Sequence, residues 1–178
     1  ARGGRRVRFT STRGGVPPTP VDEALAAGLA PDGGLYVPES IPRLDWPEPL
    51  PTLADTAAFA LAPFFAGSSL RTRLDGICAR AFDFPAPLRP LDGANDFVLE
   101  LFHGPTAAFK DYAARFLAAS LAALRPPGAP TLTILVATSG DTGAAVASAF
   151  HGREGFEVVI LYPDGRVSPR QAHGLGCW

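Results

Sequence analysis

The chain has 178 residues, 17 acidic against 16 basic side chains, two cysteines and no methionine. At about 100–200 residues per domain, this length holds one full domain or a small one plus part of another, enough to bury about 70% of its unfolded surface. The near-zero charge argues against a nucleic-acid partner or an acidic membrane surface, each of which calls for a basic stripe.

The one basic cluster, Arg2, Arg5, Arg6 and Arg8, lies at the start, has no interleaved aromatics, and reads as a solvated end. No apolar h-region follows it, so no secretory signal is expected. Phe9 to Gly15 reads as a short strand and a glycine-rich turn. Thr19-Pro20-Val21-Asp22 has a helix-start pattern: Thr as N-cap, Pro first, an acid third, with Gly28 as the C-terminal stop. Pro31-Asp32-Gly33-Gly34 is a turn, Leu35 to Pro38 an extended piece, and Pro42 to Pro51 a loop. Leu53 to Phe65 and Leu70 to Phe82 read as helices, the second with Leu70, Leu74, Ile77 and Phe82 near one face. The first is also the longest apolar run, but Asp55 and Pro63 interrupt it, well short of the roughly 20 residues of a membrane span. A boundary near Leu91 to Ala94 divides the chain into a small, mostly helical N-terminal module, residues 1–93, and an α/β part, residues 94–178.

In the second part, Phe97 to Leu101 is a short strand, and a helix runs from about Ala108 to Leu124 with Phe109, Phe116, Leu117, Leu121 and Leu124 as its apolar stripe. Leu132 to Ala137 is apolar and β-branched without alternation, as expected of a parallel strand buried on both faces. Thr138-Ser139-Gly140-Asp141-Thr142-Gly143, a helix from about Gly143 to Phe150, and a strand from Phe156 to Leu161 follow. Strand, turn, helix and strand within about 30 residues make a βαβ crossover and hence a parallel sheet. Cys78 and Cys177 are far apart, with no CxxC and no zinc-ligand spacing, so no metal is expected and a reducing, cytoplasmic setting fits. The opening at Ala1 and the stop at Trp178 suggest a fragment.

Ligands of open α/β sheets bind beyond the carboxyl ends of the strands, which here are His103 to Lys110 and Thr138 to Gly143. Fifteen of the basic residues are arginine, and Lys110 is the one lysine. It is either a leftover surface residue or a group doing what a guanidinium cannot, losing its proton and attacking a carbonyl. It sits at the start of a helix, after Ala107, Ala108 and Phe109, where the charged form of an amine is disfavoured. Asp111 fits a general base or a buried partner, with the structural role favoured, and His103 fits a site residue or a satisfied turn histidine equally. His151 and His173 read as surface residues. The loop at Thr138 to Thr142 has small residues, consecutive N–H groups and a helix N-terminus, the physics of an anion cradle, although it is neither a Walker A loop nor a GxGxxG fingerprint. Asp141 would repel an anion unless it turns away, for example as N-cap of the following helix.

The stretch Glu100-Leu101-Phe102-His103-Gly104-Pro105-Thr106-Ala107-Ala108-Phe109-Lys110-Asp111 resembles the lysine segment of the threonine synthases, tryptophan-synthase-like (fold type II) enzymes that use pyridoxal 5′-phosphate (PLP). Ala137 to Ala145 is similar to that family's substrate-carboxylate loop, and Ser11-Thr12-Arg13-Gly14-Gly15 to its N-terminal signature. Ala27 to Pro38 and Tyr162 to Gln171 match in the same order, so the resemblance covers nearly the whole chain.

The resemblance implies an α/β fold, the three-layer parallel sheet of PLP fold type II, incomplete here and preceded by the helical module. It implies that Lys110 holds PLP as an internal aldimine and then moves protons at Cα and Cβ. Thr138, Ser139, Gly140, Asp141 and Thr142 would surround the substrate carboxylate or the cofactor edge, while Arg166 and Ser168 would help order the site with no contact assigned to them. The implied reaction turns O-phospho-L-homoserine and water into L-threonine and phosphate. Its partner is this small-molecule substrate, with no nucleic acid or membrane; a monomer and a homodimer both remain open. Members of the family are more than twice as long, and their further half carries the loop for the cofactor phosphate. The 178 residues alone are therefore expected to bind PLP weakly and to turn over poorly. Two alternatives stand beside this one: a PLP-dependent serine or threonine dehydratase-like lyase, and a catalytically inactive truncated relative.

Overall fold

The computed structural model describes residues 6–47, 49–93 and 95–178, so Arg2 and Arg5 of the basic cluster and Ala94 of the expected boundary lie outside the described residues. The chain divides into two compact units, residues 1–80 with 119–125, and residues 81–118 with 126–178.

In the first unit, β1 (Phe9–Ser11) pairs antiparallel with β2 (Tyr36–Pro38), Phe9 opposite Pro38 and Ser11 opposite Tyr36. Between them α1 (Val21–Ala27) begins one residue later than the Thr19 cap pattern implies, with Pro20 as N-cap and no side-chain cap. The reason is a competing use of Thr19. Its N–H and C=O both pair with Phe9, at 2.8 Å each, and its hydroxyl bonds Glu23. Gly28 ends α1 as expected, at φ +72°, a conformation only glycine adopts cheaply.

Asp32 locks the turn beyond. Its carboxylate accepts from the Ser11 hydroxyl (2.7 Å) and from the Gly15 and Gly34 N–H groups (2.9 Å each), so the two glycine-rich segments close on one another. α2 (Leu53–Leu61) is capped by the Thr52 hydroxyl, which accepts from the Asp55 N–H. A 3-10 turn (Arg71–Arg73) then leads into α3 (Leu74–Ala81). Of the expected face, Leu70, Leu74 and Ile77 are fully buried, together with Cys78, while Phe82 lies just beyond α3 and is half-buried.

In the second unit, β4 (Phe97–Leu99) pairs antiparallel with β3 (Leu88–Pro90). β3 is not signalled in the sequence, because the surrounding prolines read as breakers; Pro90 is tolerated at the last position of this exposed pair. α4 (Lys110–Leu124), which belongs to this unit as far as Ala118 and to the first from Ala119, begins two residues later than expected, and Phe109, assigned to its apolar stripe, precedes it and is 61% exposed.

β5 (Leu132–Ala137) and β6 (Phe156–Leu161) run parallel, Leu132 opposite Phe156 and Ala137 opposite Leu161, joined through α5 (Asp141–Phe150). This is the expected crossover. The expectation that β5 is buried on both faces is not met: Ile134 and Val136 are half-buried, while Leu135 is 66% exposed. The sheet has two strands, α5 packs on both, and Leu135, Val159 and Leu161 face away from cover within this chain. α6 (Pro169–Gly176) follows, its Leu175 buried. Among the described residues, no helix is long and apolar enough to cross a membrane, and no group of His, Cys, Asp or Glu is arranged to hold a metal.

Candidate functional site

Beyond β4, Glu100 accepts a close approach from His103, whose Nε2 lies 2.7 Å from Oε2, with Arg89 Nε 3.6 Å from Oε1. His103 is thus a partnered turn histidine. From Gly104 the chain folds into a turn closed by the Ala107 N–H on the Gly104 carbonyl (3.0 Å). Ala107 sits at φ +56°, a left-handed conformation that costs a non-glycine residue about 1 kcal/mol or more. That conformation cannot continue a helix, which is why α4 starts at Lys110.

Asp111 holds the turn. It is fully buried, and Thr106 occupies both of its carboxylate oxygens: the Thr106 N–H donates to Oδ2 (2.9 Å) and the hydroxyl to Oδ1 (2.7 Å). The close approach requires Gly104, where a Cβ would lie 2.4 Å from Asp111 Oδ2. Of the two roles open in the sequence, the buried partner describes these contacts. Burial, and secondarily the Asp111 charge, also push the Tyr112 hydroxyl above the usual tyrosine range. Lys110, the first residue of α4, is half-buried, with Nζ 4.2 Å from the ring centroid of Phe109, within reach of a cation–π contact.

The loop after β5 is organised by Thr138. Its hydroxyl oxygen accepts from the N–H groups of Gly140 (3.1 Å) and Gly143 (3.3 Å), so it is spent inside the loop rather than offered to a ligand. Asp141 is the first residue of α5 and not its cap: Gly140 occupies the N-cap and no side chain caps the helix. Asp141 and Thr142 are exposed, as is Ser139. The N–H groups of Ser139, Asp141 and Thr142 have no partner among the described residues, leaving donors at the positive end of α5.

The lysine-side turn and this loop meet across a cavity of about 680 Å³, within the range of small-molecule sites. Pro105, Thr106 and Ala107 line it from one side, Gly140, Asp141 and Ala144 from another, and α6 with the residues flanking it from a third, where His173, read from the sequence as a surface residue, is both exposed and part of the lining. Lys110 follows the lining turn by three residues in the chain and is not itself among the lining residues, nor are Thr138, Ser139 and Thr142.

Ser168, the N-cap of α6, reaches the cavity, as do Arg170 and Gln171 on the helix; the resemblance names Ser168 as helping to order the site, but not Arg170 or Gln171. The signal was present: Ser168-Pro169-Arg170-Gln171 is a capping box with proline at the first helical position. The Ser168 hydroxyl accepts from the Gln171 N–H (3.2 Å), and the Ser168 N–H donates to Gln171 Oε1 (3.0 Å). Gln171 also closes on the loop, since a Cβ at Gly140 would lie 2.7 Å from its Nε2.

Residues 8–82 match the family model described as the threonine synthase N terminus. The chain is 48% identical over 151 residues to threonine synthase of Haemophilus influenzae, covering 84% of this chain and 35% of that protein. It is 39% identical over 174 residues to the Pseudomonas aeruginosa threonine synthase, covering 93% of this chain and 37% of that one. Among solved structures, the PLP-bound threonine synthase of Brucella melitensis superposes with a TM-score of 0.84 at 39% identity, over 94% of this chain and 38% of its own. The chain therefore spans little more than a third of the length of these relatives.

Proposed function

This chain is a relative of the N-terminal portion of the threonine synthases, and from that premise we propose that it serves, within its full native protein, the PLP-dependent conversion of O-phospho-L-homoserine and water to L-threonine and phosphate. In this reading residues 1–93 are the N-terminal module, and residues 94–178 open the cofactor-binding domain. The observation that carries it is the cavity on which the Gly104–Ala107 turn, leading to Lys110, and the Gly140–Asp141 loop converge.

The residues present fit the group in part. A primary amine stands beside a turn that lines the cavity, and unpartnered amides at Ser139, Asp141 and Thr142 suit an anion. When bound, PLP supplies an aldehyde and a ring that withdraws electrons from the substrate's Cα. Lys110 would hold the group through its side-chain amine. With substrate in the site, the free amine of Lys110 would act as the base and acid that moves protons on the substrate's carbon chain. Asp141, which lines the cavity, and its neighbours Ser139 and Thr142, which do not, would offer their N–H groups to the substrate carboxylate, with the dipole of α5 behind them. Thr138 shapes this loop through its hydroxyl, and Gly140 leaves room beside Gln171. Over the whole reaction phosphate would leave from Cγ, Cγ would take up a proton to become the methyl group, and water would add at Cβ.

The test uses the full native chain with PLP. Borohydride reduction is expected to fix the cofactor on Lys110, and O-phosphohomoserine to release phosphate without ammonia. Lys110→Ala is expected to abolish both results. Reduction that labels no lysine refutes the reading, and ammonia release assigns the chain to the dehydratase class. Residues 1–178 alone are expected to take up PLP weakly and to release little threonine.

A further inference from the structure

We propose that Asp111 is a positioning residue for Lys110: its buried carboxylate clips the Gly104–Ala107 turn, which lines the cavity, to the first turn of α4 and so fixes the backbone from which the lysine extends. The inference rests on the reading of Lys110 given above. An acid in the first helical turn is ordinarily an exposed complement to the dipole. Asp111 is different, because it is fully buried, and burying a carboxylate is costly unless its oxygens are well satisfied.

Both oxygens go to a single residue, Thr106, which lines the cavity. Between them the chain closes a ring of bonds: Thr106 to Asp111, Ala107 N–H to the Gly104 carbonyl, and Asp111 N–H to the Ala108 carbonyl (3.0 Å). Lys110 lies inside this ring. Ala107 holds its left-handed φ of +56° within it, and such strain persists only where the surroundings over-determine it. The close approach of Gly104 to Asp111 removes the remaining slack. The hydrogen bonds of the carboxylate all lie within the turn, and it acts through them.

The experiment compares wild type, Asp111→Ala, Asp111→Asn and Thr106→Val in the full native chain. Each is treated with PLP and borohydride, and separately with acetic anhydride, a reagent that needs no site, and the label on Lys110 is read by peptide mass. Losing a hydrogen bond to a buried charged acceptor lowers PLP labelling about tenfold in Asp111→Ala and about threefold in Thr106→Val, with acetylation unchanged. Asp111→Asn keeps an acceptor for the Thr106 N–H and stays within about threefold of wild type. Should Asp111→Ala fail to fold, Thr106→Val, which removes one hydroxyl donor only, carries the test. Wild-type PLP labelling in the folded variants, or both labels falling together, overturns the positioning role and leaves Lys110 standing. No PLP label on the wild type overturns both.

Discussion

Gly143 is where the packing behind the loop can be tested most sharply. It is the third residue of α5 and buried. A Cβ there would lie 2.4 Å from Thr138 Cγ2, 2.5 Å from Leu175 Cδ2 and 3.3 Å from Ile160 Cγ2, so the loop, α6 and β6 all meet the new methyl. Leu175 can swing aside, but Thr138 cannot turn without giving up the bonds its hydroxyl accepts from Gly140 and Gly143. Overpacking such a site costs about 1–3 kcal/mol, and the two hydrogen bonds about 1 kcal/mol each. Alanine gains about 1 kcal/mol over glycine as a helix former. Gly143→Ala is therefore expected to lose about 2–4 kcal/mol, a large part of a typical domain's stability. Urea unfolding of the native chain, followed by circular dichroism, measures it as a midpoint lowered by about 1 M or more. The control is Gly76→Ala in α3, where the nearest atom to a new Cβ is Arg80 Nη1 at 3.5 Å. It is expected to gain about 0.5–1 kcal/mol. If Gly143→Ala matches wild type or behaves like Gly76→Ala, the close packing of α5 on the loop is wrong.

Among the described residues Ser120 Oγ is buried without a hydrogen-bond partner, so Ser120→Ala is expected to be neutral or to stabilise by up to about 1 kcal/mol in the same unfolding assay. A clear loss would mean that the hydroxyl is satisfied. The Asp32 carboxyl is held below its usual 3.8 first by the Ser11 hydroxyl and then by the Gly34 amide. A lowered folded pKa stabilises above the unfolded value and is lost as pH falls through the folded one. The stability gap between wild type and Asp32→Asn is therefore expected at neutral pH and to shrink below pH 3.8; a gap that persists at lower pH refutes the assignment. Burial, with a smaller contribution from Asp75, pushes the Cys78 thiol up to about 11, whereas Cys177 is exposed. A thiol reagent at neutral pH is expected to modify Cys177 in the folded chain and Cys78 only after unfolding. Equal rates would contradict the packing of α3.

Local signals carried much of this chain. The crossover from β5 through α5 to β6 is legible because β-branched runs, a glycine turn and an alanine-rich helix each announce themselves within a few residues. Lys110 and the Ser139–Thr142 loop stand out as candidates by residue type and spacing, and their resemblance to one family does not depend on coordinates. Where the reading failed, a competing partner decided. Thr19 looks like an N-cap, but its backbone is committed to Phe9. β3 hides among prolines until β4 supplies its partner. α6 was missed although its capping box lies in plain sequence.

What the amino acids determined alone is the set of elements and the chemistry they carry, because propensity, capping and residue type act over a few positions. Tertiary structure decided which polar groups are spent and which remain free. The Thr138 hydroxyl is consumed within its own loop while neighbouring amides stay open, and the Asp111 carboxylate is buried against Thr106. It also left one side of Leu135 and Leu161 uncovered, since covering a sheet face requires an element from elsewhere in space. Such outcomes depend on distances between segments, which no window of sequence contains.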